Sequence, residues 1–215
     1  MATEFRPYFI ARRNILRAFP RLRKKRNWRL CSPRSDTYQC IAWAACRTDN
    51  KWWPVNHPQF YWPPDIPRVI LPNPWLVPWP PVSVDYFVQG FATLGYAPCT
   101  TEDFEFGYQK VAIYANDYGV THMARQRFFC AGWISKPGEL EDIIHEELQD
   151  IEGSMATAAG TYGEVKQILK RSWWHAIKNG CLMRCFWHTS KFRVLRVWWR
   201  LLPLKWKRVP YTPSW

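Results

Sequence analysis

Residues 110–127 constrain the fold more than any other stretch of the chain. They read K-V-A-I-Y-A, then N-D-Y-G, then V-T-H-M-A-R-Q-R. A short apolar run, a turn tetrapeptide and an alternating run form a β-hairpin signature. Residues 128–135 continue as a third strand, and K-P-G at 136–138 closes it with a turn. An antiparallel meander must therefore occupy the middle of the chain.

The flanking segments carry helical periodicity. C-I-A-W-A-A-C over residues 40–46 follows the polar, turn-prone stretch 32–37, which predicts a helix whose first turn holds Cys40. Between residues 82 and 94, Tyr86, Phe87, Gly90, Phe91 and Leu94 recur at helical spacing, and Gly95 stops the run. Residues 139–148 predict an acidic helix with Leu140, Ile143, Ile144 and Leu148 on one face, and residues 164–171 a last short one. Residues 51–81 hold too many prolines for regular helix and read as a Trp/Pro-rich loop. The expected class is α+β, an N-terminal helix packed on a small antiparallel meander with a helical C-terminal extension.

Charge divides the chain into three. Residues 1–26 hold nine Lys/Arg and one acid, residues 27–169 ten and sixteen, and residues 170–215 eleven and none. The net charge of +13 thus belongs to two arms around an acidic middle. The domain organisation expected is a basic, disordered arm over 1–26, an α+β domain over 27–171 and a basic Trp-rich tail over 172–215. Within the tail, residues 191–202 place Arg193, Arg196 and Arg200 among Val, Leu and Trp at amphipathic helical spacing. Such arms fit an anionic membrane surface or a nucleic acid.

Seven cysteines without framework spacing, and no secretory signal, point to a reduced, cytoplasmic setting, with peripheral membrane contact through the arms. For the Arg-rich start, a mitochondrial-type presequence is the alternative. Cys181 and Cys185 near His175 and His188 match no zinc-finger spacing, so neither metal nor cofactor is expected.

One constellation could carry chemistry. A cysteine in a helix's first turn gains thiolate character from the helix dipole, and a histidine on a hairpin strand can serve as its base. Cys40 and His122 are that pair, with Ser135 as the group orienting the imidazole, and His145 or Asp142 as alternatives. Tyr38 and Gln39 could donate to an oxyanion. Trp43, Trp53, Arg125 and Lys136 complete the candidate substrate contacts. Against this stands the plain reading of each: a core cysteine, a surface or supporting histidine, a turn lysine and packed tryptophans.

The motifs also occur together and in order. W-x-x-x-S-P at 28–33, Q-C-I-A-W-A-A at 39–45, W-W-P at 52–54, Y-W-P-P at 61–64 and F-A-T-L-G-Y at 91–96 lead the series. K-V-A-I-Y at 110–114, T-H-M-A-R-Q at 121–126, W-I-S-K-P-G at 133–138 and D-I-I-H at 142–145 follow. With this series the chain resembles, over residues 19–171, a family of uncharacterised bacterial domains. The resemblance implies that Cys40, Trp43, His122, Arg125, Lys136 and His145 belong to one module. At the level of fold alone, the helix cysteine and strand histidine are similar to papain-like and NlpC/P60-like cores. The family's asparagine before the cysteine is Gln39 here. Its glycine after Ala-Ala is Cys46, which would strain a left-handed helix cap. Residues 68–82 read as a Pro/Trp-rich insertion.

Two functions compete on these residues. One is a cysteine-dependent hydrolase or transferase acting on amide or peptide bonds. The other is a non-catalytic binding or interaction module whose basic arms contact a membrane surface or nucleic acid.

Overall fold

The computed structural model describes residues 2–70, 81–128, 130–153 and 161–178. Its centre is a seven-stranded sheet, antiparallel at every pairing. In chain order its strands are β1 (Arg29–Leu30), β4 (Ala97–Cys99), β5 (Tyr108–Asn116), β6 (Gly119–Gln126), β7 (Trp133–Ser135), β8 (Ile143–His145) and β9 (Glu164–Ser172). They lie side by side in the order β1-β8-β7-β6-β5-β9-β4. Two further strands, β2 (Lys51–Trp52) and β3 (Phe60–Tyr61), form a small parallel pair inside the Trp/Pro-rich stretch. The expected α+β class is what the chain adopts.

Both faces of the sheet are covered, which is why β5 is buried almost throughout. Side chains alternate across a strand, so Val111 and Ile113 point to one face while Ala112 and Tyr114 point to the other. The first face receives α2 (Cys40–Ala44) and α3 (Val84–Ala92), which bring Trp43, Phe87 and Phe91. Close packing there requires glycine: a Cβ on Gly90 would lie 2.4 Å from a Trp62 ring carbon. The second face is covered by α1 (Ala2–Ala18), the 3-10 turn Pro20–Lys24 and residues near Leu148. Met123, Arg125 and Ile144 belong to the α2 face by register, and His122, Ala124, Ser135 and His145 to the α1 face.

Three expectations are corrected. The start of the chain is an ordered helix, because Ala11, Ile15, Phe19 and Leu22 fall at spacings of four and three and are buried. Residues 139–148 hold strand β8 rather than a helix. Ile143 faces the α1 side and Ile144 the α2 side, so neighbouring apolar residues are buried on opposite faces. Residues 164–171 also form a strand, β9, where Gln167, Leu169 and Arg171 face the α2 side and, past a bulge, Val165 faces the α1 side with Ile168. The predicted helix over 191–202 and most of the 68–82 insertion lie outside the described residues. The C-terminal extension is helical over α4 (Trp173–Lys178).

Candidate functional site

Cys40 opens α2, as its sequence context predicts, and Gln39 is the N-cap. The Gln39 side chain accepts from the Ala42 and Trp52 backbone N–H groups and donates to the Trp52 carbonyl. It is thus committed to joining α2 to β2, not aimed at an oxyanion. The Cys40 side of the cap is packed into the core with the residue 7 % exposed. Burial pushes its thiol up to about 11, with the Met123, Ile41 and Cys40 backbone N–H groups as partial offsets. A five-residue helix supplies too little dipole to reverse that.

His122 does not meet Cys40. It pairs across the hairpin with Tyr114 on the α1 face, while its neighbour Met123 is the residue that reaches the Cys40 side. The imidazole stacks on the Tyr162 ring at 4.2 Å and 9°. Neither ring nitrogen has a hydrogen-bond partner among the described residues. Burial, with His145 nearby, lowers its pKa well below the usual histidine range, so it is neutral. The sheet backbone stands between thiol and imidazole, and the expected nucleophile–base pair is not formed.

Ser135 and His145 do come together, with Oγ 2.9 Å from Nε2. His145 Nδ1 lies 2.8 Å from the Glu147 carbonyl, which can only accept, so Nδ1 carries the proton and Nε2 accepts from the Ser135 hydroxyl. Both residues are fully buried, and burial lowers the His145 pKa to about 4. The arrangement is a closed relay with no exposed reacting atom. Glu147 and Asp150 cap the next turn reciprocally, which holds the carbonyl in place.

Around α2 the remaining candidates act as braces. Arg125 donates to the Trp43 carbonyl at 2.8 Å and to Cys46 Sγ at 3.0 Å, with its guanidinium 4.0 Å above the Trp43 ring. Trp53 packs edge-on to Phe87. Lys136, fully buried, donates to the Leu140 carbonyl and sits 3.9 Å from Asp142 Oδ1. Tyr38 donates to Asp142 Oδ2, and Ser32 Oγ accepts from the Asp142 backbone N–H. Burial raises the Asp142 carboxyl to about 6, against the pull of Lys136, and burial likewise lowers Lys136. The S-P, Y-Q-C, S-K-P-G and D-I-I-H motifs therefore converge on one buried cluster.

Sequence reasoning missed Arg171, though it singled out Cys46 as a residue strained in a left-handed helix cap. Arg171 from β9 donates to Gln109 Oε1 and to Cys46 Sγ and lies over the Tyr96 ring. The alternation of Gln167, Leu169 and Arg171 was masked by the helix-forming residues around them. Cys46 has φ of 62°, the one positive value outside glycine among the described residues. Its N–H bonds the Trp43 carbonyl and the Arg47 N–H the Ala42 carbonyl, a Schellman cap.

Among the described residues no three His, Cys, Asp or Glu side chains converge as a metal-binding group. Cys181, Cys185 and His188 lie outside the described residues, while His175 Nδ1 lies 3.1 Å from Ser172 Oγ. No described helix is long and apolar enough to cross a membrane.

The outer face of α1 is different in kind from this closed interior. Arg21 and Lys25 anchor it to Glu152, Glu147 and Asp150. Arg13, Arg17, Arg23, Lys24 and Arg26 are exposed and make no ion pair among the described residues. Tyr8, Phe9 and Ile10 are 50 %, 69 % and 55 % exposed on the same helix.

No curated protein and no solved structure matches the chain. A family profile, described as a domain of unknown function, does match residues 29–170, from β1 to within β9. The span contains every motif of the buried α2 cluster, and the chain belongs to the DUF7689 family.

Proposed function

We propose that this protein is a non-catalytic binding module whose N-terminal arm offers a cationic surface to a polyanionic partner. The observation that carries the reading is the arm itself. Ile15, Phe19 and Leu22 hold it on the sheet, and Arg13, Arg17, Arg23, Lys24 and Arg26 are left facing solvent without carboxylate partners among the described residues. A rigid array of unpaired cations loses less entropy on binding phosphate or sulfate groups than a free tail would. The tail adds to the same reading by composition, since residues 170–215 contain no acid. The interior argues the same way: Cys40, His122, Ser135 and His145 are buried, and none has both a partner of the needed type and a route to substrate.

Heparin affinity of the full chain tests this. The wild type should elute at high salt, and a variant with Arg13, Arg17, Arg23, Lys24 and Arg26 changed to Gln should elute at clearly lower salt, with an unchanged unfolding midpoint. Equal elution of the two would remove the arm from the reading.

A further inference from the structure

We infer that the polyanion met by the arm is an anionic lipid bilayer, entered by Phe9 and Ile10. This rests on the binding reading above and names its partner. The face of α1 turned from the core is not uniformly polar. Phe9, Arg13 and Arg17 follow one another at intervals of four, which places them in one stripe, and Ile10 lies beside Phe9. At 1.5 Å per residue the two arginines stand roughly 6 and 12 Å behind the phenylalanine. Among the described residues, two large apolar side chains thus protrude at one end of a cationic stripe. Pro20–Lys24 and Arg26 extend the positive charge beyond it.

An interfacial helix needs that combination: aromatic and aliphatic groups that enter the acyl boundary, and basic groups whose stems reach back to phosphate. A nucleic acid would use the arginines and could stack on Phe9, but an aliphatic Ile10 has no planar face to offer a base. Charge complementarity with the headgroups and the exposed apolar end together select the bilayer.

Cosedimentation of the full chain with vesicles decides it. Vesicles of phosphatidylcholine containing phosphatidylserine should bind the protein, and pure phosphatidylcholine vesicles should bind it far less. Phe9→Gln with Ile10→Gln should weaken binding to the anionic vesicles by about tenfold or more while heparin elution stays unchanged, because both side chains are exposed and no cation is lost. Unweakened vesicle binding by this double variant overturns the inference. So does retention on heparin and on a DNA duplex without vesicle binding, which leaves the polyanion reading standing. Failure to bind either heparin or anionic vesicles overturns both.

Discussion

The Tyr38 hydroxyl donates a 3.0 Å hydrogen bond to Asp142 Oδ2 across 104 residues of chain. This contact ties the loop before α2 to the residue that precedes β8. It also isolates a carboxyl from water, leaving Asp142 Oδ1 without a hydrogen bond among the described residues and Lys136 3.9 Å away.

Asp142 should make the protein less stable as pH rises. Its folded pKa, about 6, lies above the unfolded value of 3.8, so the folded state binds the proton more tightly. Stability from this group is full below about pH 4 and is lost as pH rises to about 6. Urea unfolding of wild type and Asp142→Asn at pH 4 and pH 6.5 should show the wild type losing on the order of 2 kcal/mol relative to the variant.

His145 should act in the opposite sense over much the same range. Its folded pKa of about 4 lies below the ordinary histidine value of 6.5, so the unfolded state takes up the proton first. The contribution is full above about pH 6.5 and is lost as pH falls toward 4. Ser135→Ala, which leaves His145 Nε2 buried without its donor, should cost about 1–3 kcal/mol at pH 7 by denaturant unfolding.

Cys46 allows a backbone effect to be isolated. Cys46→Ala and Cys46→Gly both remove the sulfur, with its disulfide and its contacts with Arg125 and Arg171, so only the φ of 62° distinguishes them. The glycine variant should be more stable than the alanine variant by about 1 kcal/mol.

Cys40 should be a slow thiol. With its pKa pushed up to about 11, native protein at pH 7.5 should react with iodoacetamide at Cys40 on the order of a hundredfold more slowly than free cysteine. Peptide mapping after timed labelling reads the rate. Labelling at the rate of free cysteine would contradict the buried placement.

The hairpin, α2 and α3 were legible because each combines the correct period with its own turn or cap residues. β8 was not. Leu140, Ile143, Ile144 and Leu148 satisfy helical spacing, and a strand buried on both faces produces the same pattern over three residues. β9 was hidden by composition, since E-V-K-Q-I-L-K-R is built from good helix formers and tertiary pairing with β5 and β4 overrides them. For the site, residue types singled out Cys40, His122 and Ser135 but not the face of the sheet on which each would lie. The face of each strand residue depends on register, and a neighbour such as Met123 differs from His122 by one position and by the whole thickness of the sheet.

The docking of α1 sets a boundary that homology does not. The family profile begins at residue 29, yet Phe19 packs on Tyr162 at 5.8 Å, and Ile15 and Leu22 share a core with Ile143 and Ile151. A fragment cut where the profile starts would leave one side of the sheet wet, with an apolar floor ready to associate with other copies. The unit that evolution repeats is thus smaller than the unit that folds, and expression of the shorter piece should yield aggregate where the longer one remains dispersed.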